Sequence, residues 1–476
     1  METISDKFIK SLQDGRNVWL NGEAVDVTSN PNFTGTLATI KYLFDMFEHP
    51  SKQELIGFKS PKTGQYVHTA YLVPNSYEDL LKRRRSFEEW SQATDGVMSR
   101  LSDYARSRLT GWYAARENYR KYDEHFPGKI KNYYEGARDE HRMMCVVQRD
   151  PQINRSQVPL PDEKEAGLLR ITRKTEDGII LSGAKMIATA APYCHDLIVY
   201  PLTKLNEKQK DLAHMLAVPV NSPGLHIVCR ESFAADSAKQ MDYPLSSQYD
   251  EMDALIIFDE VFVPWERVLL HDNPEAIWQI KSDLASNSLA YHQAIVRLHT
   301  KLEFVTAIAI EIAAAIGADS YLHVQEKIGK LINQVQTISG LIIASESQGK
   351  VDSHSTFLPD FCYIETARNL GSTYYPRAIE MLQLIGAGGF IQLPSSMDDF
   401  SGPLSPLLKQ YFKGATLDAE KRTKLFKLAW DLIGSPLGSR HQLYERYYAG
   451  DPIRNLAVQY HSSDKQHYKQ MIEKYL

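Results

Sequence analysis

The sequence predicts an α+β fold in three consecutive parts. A mainly helical N-terminal part covers residues 1–135, a central antiparallel β-barrel or sandwich covers 136–275, and a C-terminal four-helix bundle covers 276–476. Three observations lead to this reading. Apolar residues recur at three- and four-residue spacing in the first and last parts. Between them, short apolar runs alternate with turn residues. At 476 residues the chain is also too long for one compact core. A helix–barrel–helix order puts the expected ligand site between domains.

In chain order, Ser5 or Asp6 caps a first amphipathic helix through Phe8, Ile9 and Leu12. Asn17 to Asp26 reads as a hairpin turning at Asn21-Gly22. Leu37 to Phe47, Tyr77 to Asp95 and Asp103 to His125 follow as helices; the second is rich in Arg and Glu, as a solvated face would be. Strands are expected over Leu168 to Thr172, Gly178 to Leu181, Asp196 to Pro201, Met215 to Val220, Leu225 to Val228 and Ala254 to Val261, with a turn at Ser182-Gly183. Leu205 to Leu212 is polar and reads as a flap. The bundle is expected from Glu275 to Gly317, Asn333 to Gly349, Thr366 to Leu384 and Asp418 to Ile433.

A net charge of −5 argues against a general nucleic-acid surface. Four scattered cysteines, Cys145, Cys194, Cys229 and Cys362, suit a reducing compartment and form no zinc-binding spacing. The start of the chain carries charges where a signal peptide needs an apolar run. The most apolar run, Phe304 to Gly317, contains Glu311 and is shorter than the roughly 20 residues of a membrane span. A cytoplasmic protein is expected.

Several short stretches can carry chemistry. Gly178 to Thr203 ends a strand in Ala-Thr-Ala-Ala, where small side chains let a flat ligand lie against backbone and Thr189 offers one hydroxyl; a packed strand end reads the same way. Arg100 and Tyr104 stand one helical turn apart, either facing one cleft and holding an anionic oxygen, or as a surface Arg beside a core Tyr. Pro151-Gln152-Ile153-Asn154-Arg155 suits the polar edge of a heteroaromatic ring or a phosphate, or is simply a loop. Gly386-Ala387-Gly388-Gly389 permits close approach of backbone to a phosphate, yet glycine also ends helices. His292 and His299 share a helix without a third ligand, so no metal is expected.

Together these stretches resemble the 4-hydroxyphenylacetate 3-hydroxylase family, the oxygenase component of two-component, FADH2-dependent monooxygenases with an acyl-CoA-dehydrogenase-like fold. The resemblance runs from about Arg100 to Arg454. It is carried by Arg100-Leu-Ser-Asp-Tyr104, Pro151-Gln-Ile-Asn-Arg155, Gly183-Ala-Lys-Met-Ile-Ala-Thr189, Phe262-Val-Pro-Trp-Glu-Arg267, Tyr291-His-Gln293 and the long run Leu425 to Pro452. It implies that a separate reductase supplies FADH2, that O2 adds at the flavin C4a, and that the resulting hydroperoxide oxygenates an electron-rich ring. It implies catalytic and substrate-binding roles for Arg100 and Tyr104 at the phenolic oxygen, and places Leu202 and Thr203 at the substrate tail. Gln152, Ile153, Asn154, Arg155 and Thr189 would contact the flavin, with Thr189 near its N5 edge. Ala449, Gly450 and Asp451 match a flavin-contacting turn. Gly386 and Gly388 would approach the cofactor from a neighbouring subunit of a homodimer or homotetramer.

One position departs from the family pattern. The hydroxylases carry a histidine six residues before the Gln of Pro-Gln, at the junction of substrate and cofactor; here that position is Val146, and His141 lies five residues too early. A general acid or base contributes roughly 10²–10⁴-fold in rate where it is used. Either Arg100 and Tyr104 suffice, or the guest is a ring already rich in electrons, which leaves an N-hydroxylase or heteroaromatic oxygenase as alternatives. The same superfamily includes 4-hydroxybutyryl-CoA dehydratase, whose cluster needs cysteine ligands that the spacing here does not provide. A non-catalytic scaffold is the remaining class.

Overall fold

The computed structural model describes residues 2–152, 167–234 and 239–476. The chain is α+β, with a helical N-terminal region, two central sheets and a helical C-terminal region. It divides into two compact units: residues 1–301 with 346–360, and residues 302–345 with 361–476.

The first helix spans Ile4–Ser11 and is capped by Thr3, whose hydroxyl accepts from the Asp6 amide at 3.0 Å. The cap therefore sits earlier than Ser5 or Asp6, and Ser5 instead turns its hydroxyl inward to the Asp45 carboxylate. Val18–Leu20 and Glu23–Val25 form the expected hairpin, with Asn21 and Gly22 both at positive φ, as a tight primed turn requires. Pro31–Asp45 starts on an Asn30 cap, and Tyr77–Gln92 on a Ser76 cap. The second of these is not a purely solvated face. Arg83 is fully buried and donates to the carbonyls of Thr69, Ala70 and Leu72 and to Ser107 Oγ.

The expected helix from Asp103 to His125 is broken. It ends at Ala114, a short 3-10 turn covers Arg116–Tyr119, and a separate helix runs from Phe126 to Asp139 with Pro127 in its first turn. Its buried rings, Trp112, Tyr119, Phe126 and Tyr134, are core, as aromatics at helical spacing generally are.

The six-stranded sheet has the order Glu23–Val25, Val18–Leu20, Leu225–Cys229, Asp253–Pro264, Gly178–Thr189, Arg170–Lys174. The four-stranded sheet has the order Val268–His271, His214–Pro219, Asp196–Val199, Met144–Val147. Most pairings are antiparallel, but Val18–Leu20 runs parallel to Leu225–Cys229, and Met144–Val147 runs parallel to Asp196–Val199. Both parallel partners arrive through long crossovers, which is what parallel pairing needs. There is no turn at Ser182-Gly183. Gly178–Thr189 is one continuous strand in which Gly183, at φ 129°, lets the Leu168 backbone approach; a Cβ there would stand 2.4 Å from the Leu168 carbonyl oxygen. The segment expected as a flap is a 3-10 helix, Glu207–Leu212, closed by an Asn206–Gln209 capping box.

The C-terminal region is helical. Its long helices are Leu284–Ala315, Leu322–Ser347, Phe361–Gly386 and Ala419–Ile433. Pro274–Lys281 is a separate helix and not the start of the first of them. Among the described residues, no helix is long and apolar enough to cross a membrane.

Candidate active site

Helix Asp103–Ala114 is buried along almost its whole length. Its start is fixed by Ser102, held at φ 73°, whose hydroxyl accepts from the Met144 amide at 2.7 Å and so ties the helix to the four-stranded sheet. Asp103 is buried and accepts from the Tyr104 amide at 3.0 Å and from Gln293 Nε2 at 2.8 Å. Burial raises its pKa, against the Gln293 bond and the nearby Arg106 charge. The approach to the helix is pinned by Glu251, which is buried and accepts from the backbone amides of Ser99 and Arg100.

From this fixed stretch the Arg100 guanidinium lies over the Tyr104 ring, its Cζ 4.0 Å from the ring centre. One turn further, Arg108 is 3% exposed and donates to Asn287 Oδ1 at 2.6 Å and to the Lys281 carbonyl at 3.3 Å. Its Cζ is 5.9 Å from the ring centre of Tyr200, which meets Trp112 edge-on at 5.5 Å. Burial opposes the Arg108 charge, yet the phenols of Tyr200, Tyr104 and Tyr291 around it hold its pKa above the ordinary value. Burial lifts the Tyr200 phenol, against the pull of Arg108, so Tyr200 is a protonated donor at neutral pH. Two arginines and three phenols thus lie within electrostatic reach of one another, Arg108 and Tyr200 buried and Arg100, Tyr104 and Tyr291 half-buried, a setting that suits an anionic oxygen.

Thr189 ends its strand beside Ala188 and Ala190, neither of which fills space. Its hydroxyl donates to Asp253 Oδ1 at 2.6 Å, and Asp253 is held in turn by Arg230 Nε at 3.1 Å. The Thr189 carbonyl accepts from the Cys145 thiol at 3.1 Å. Burial, with Cys194 alongside, holds that thiol well above its usual pKa, while Arg100 pulls it down. Arg100 therefore acts on both the strand end and the phenol cluster. Backbone strain gathers here, with Ser102, Ala190 and Met252 all in the left-handed region. Val146 is half-buried on Met144–Val147, in register with Ile198. Leu202 is half-buried and Thr203 exposed, just past Tyr200.

Gln152 is exposed. It follows Arg149, which bridges Met186 of the strand that ends at Thr189, and Asp150, which pairs with the buried Lys185. This brings Gln152 towards the Thr189 strand. Ile153, Asn154 and Arg155 lie outside the described residues.

The remaining expected contacts are in the second unit. Asp451 caps helix Pro452–Ser462, Gly450 sits at φ 110°, and the Ala449 carbonyl accepts from Arg368 at 3.3 Å and Asn455 at 3.0 Å. Gly386 ends helix Phe361–Gly386 and is a packing glycine: a Cβ there would meet the Phe390 ring at 2.3 Å. Gly388 is exposed, with room around it. Arg368 and Gly386 are eighteen residues apart on this helix, roughly 27 Å along its axis. The 449–451 turn and the glycine loop of one chain are therefore not neighbours.

Sequence reasoning missed Arg108, Tyr200, Glu251, Asp253 and Arg230. The spacing Tyr104, Arg108 was a usable signal for the first, since the two stand one turn apart on helix Asp103–Ala114; Arg100 precedes that helix, so the helical turn expected between Arg100 and Tyr104 is not formed. Among the described residues, no three His, Cys, Asp or Glu side chains form a group that could hold a metal ion.

Comparison with known proteins agrees along the whole chain. Residues 5–270 match the N-terminal and residues 280–476 the C-terminal family model of 4-hydroxyphenylacetate 3-hydroxylase. The oxygenase component of 4-hydroxyphenylacetate 3-monooxygenase from Thermus thermophilus is 34% identical, covering 100% of this chain and 98% of its own. The 4-nitrophenol 2-monooxygenase oxygenase component of a Rhodococcus species is 30% identical, covering 94% and 86%. A crystal structure of the HpaB oxygenase complexed with FAD and 4-hydroxyphenylacetate superposes with a TM-score of 0.94 at 34% identity, over 100% of this chain and 98% of that one. The chain belongs to the 4-hydroxyphenylacetate 3-hydroxylase family.

Proposed function

We propose that this chain is the oxygenase of a two-component monooxygenase: it takes reduced FAD from a separate flavin reductase, and O2, and hydroxylates a small phenolic or similarly electron-rich ring. The observation that carries this is the gathering of half-buried Arg100, Tyr104 and Tyr291 around buried Arg108 and Tyr200. Reduced flavin supplies two electrons and, with O2, the electrophilic oxygen; the chain supplies binding, orientation and a dry site.

The donor set suits such a cofactor. The Thr189 hydroxyl spends its proton on Asp253 and so meets a ligand as an acceptor, which matches the N–H edge of a reduced flavin. Ala188 and Ala190 keep that side free of bulk. Gln152, with Ile153, Asn154 and Arg155, would take the polar edge of the ring system, and Ala449, Gly450 and Asp451 a further part. Gly386 and Gly388 would reach the cofactor of a neighbouring subunit, since roughly 27 Å of helix separates them from the turn at 449–451 in their own chain. A homodimer or homotetramer is part of this reading. The three-part division at residues 135 and 275 remains our description of the functional domains.

At the substrate, Arg100 and Tyr104 would hold the phenolic oxygen. A cationic neighbour lowers a phenol's pKa, and a phenolate is the more nucleophilic ring. Leu202 and Thr203 would line the tail, with Leu202 favouring an apolar one. Chemically reduced FAD, isotopically labelled O2 and a panel of phenols test the proposal. Label should appear in a hydroxylated product, and Arg100→Ala should lower coupled product at least tenfold while leaving FAD affinity within about twofold. Unlabelled product, or unchanged coupling in the variant, would contradict it.

A further inference from the structure

Tyr200 is fully excluded from solvent, and its hydroxyl has no hydrogen-bond partner among the described residues. The buried Nε of Arg108 has none either. Such groups are rare in folded proteins, because a desolvated hydroxyl left unpaired is destabilising. A phenylalanine would pack the same ring edge-on to Trp112 without that penalty. The hydroxyl therefore contributes nothing visible to the fold of the chain alone.

Its position supplies a use. The Tyr200 amide donates to the Val147 carbonyl at 3.3 Å, which sets Tyr200 beside Val146, the apolar residue where a donor was expected. Arg108 stands over its ring, and Arg100, Tyr104 and Tyr291 lie within electrostatic reach. Leu202 and Thr203 follow after Pro201. The strongest charged and phenolic influences on it, Arg108, Tyr104, Tyr291 and Arg100, are cations or phenols, so what fits against the hydroxyl is an oxygen acceptor, anionic or partly so.

We propose that Tyr200 is a substrate-binding residue whose hydroxyl donates a hydrogen bond to the phenolic oxygen of the aromatic guest. In this chain it supplies the donor that Val146 cannot. The assignment rests on the reading of this cluster as a phenol site, and the test separates the two.

The test is equilibrium binding without oxygen, with and without reduced FAD. 4-Nitrophenol serves as probe because its own absorbance reports ionisation, and 4-hydroxyphenylacetate is followed by competition. Tyr200→Phe should bind both phenols about tenfold more weakly, the effect of one lost hydrogen bond. It should bind reduced FAD as the wild type does, and its melting temperature without ligand should be unchanged or higher. Unchanged phenol affinity overturns the inference, as does a lower melting temperature, which would make the hydroxyl structural. A wild-type chain that binds neither phenol overturns it too. Binding lost in Tyr200→Phe while no phenol is hydroxylated by the wild type would uphold the residue and defeat the hydroxylase reading. Hydroxylation with unchanged Tyr200→Phe binding would do the reverse.

Discussion

Val146 stands half-buried on a strand whose next residue holds Tyr200 by its backbone amide. An imidazole there would add a group able to take the phenolic proton. Val146→His is therefore expected to raise kcat/KM on simple phenols at least tenfold, within the range general acid–base groups supply. Steady-state product formation with reduced FAD checks it, and no gain would mean that pocket shape bars those substrates. At this scale the sequence was partly legible. Arg100 and Tyr104 were readable as a pair from their four-residue spacing, although the helix begins only at Asp103 and the two meet as a guanidinium over a ring. Tyr200 was not, since one tyrosine among 26 carries no spacing signal and its meaning lies in the partner it lacks. Asp253 and Arg230 were equally silent, because they reach Thr189 across strands far apart in sequence.

Helix Asp103–Ala114 places its arginines and tyrosine only because it lies close against the start of helix Leu284–Ala315. Gly111 makes that closeness possible: a Cβ there would stand 2.3 Å from the Ser286 backbone. Gly111→Ala should push the helices apart, weaken the 2.6 Å Arg108–Asn287 bond and lower stability by about 2–3 kcal/mol, as overpacking does. Urea unfolding together with phenol titration checks this, and both should worsen. Helices and most strands were legible from periodicity and caps, as with Ser76, Asn30 and the Asn21-Gly22 turn. The two parallel pairings were not, because local pattern does not say which distant strand becomes the neighbour. Gly183 misled for a related reason: it marks close passage of another segment's backbone, and its own chain runs straight on.

Across the whole molecule, buried neutral histidines set the acid limit. Burial, with the Lys185 charge, lowers His214 to about 3, and burial, with nearby arginines, lowers His141 and His195 to about 4. Each is neutral in the folded chain and takes up a proton on unfolding below its ordinary value near 6.5. Their stability contribution is fully present above that value and is lost as pH falls towards the folded values, by roughly 1.4 kcal/mol per pH unit for each group. Melting temperature should therefore drop steeply between pH 6.5 and about 5, and a flat profile there would contradict the neutral assignment. Helix Phe361–Gly386 has a different consequence at this scale. If its two ends serve flavins in different protomers, inheritance of a defect follows geometry: a chain damaged at its glycine loop keeps its own pocket whole and spoils its neighbour's. Mixed with a chain damaged only in its own pocket, such a chain would restore one working site between the two.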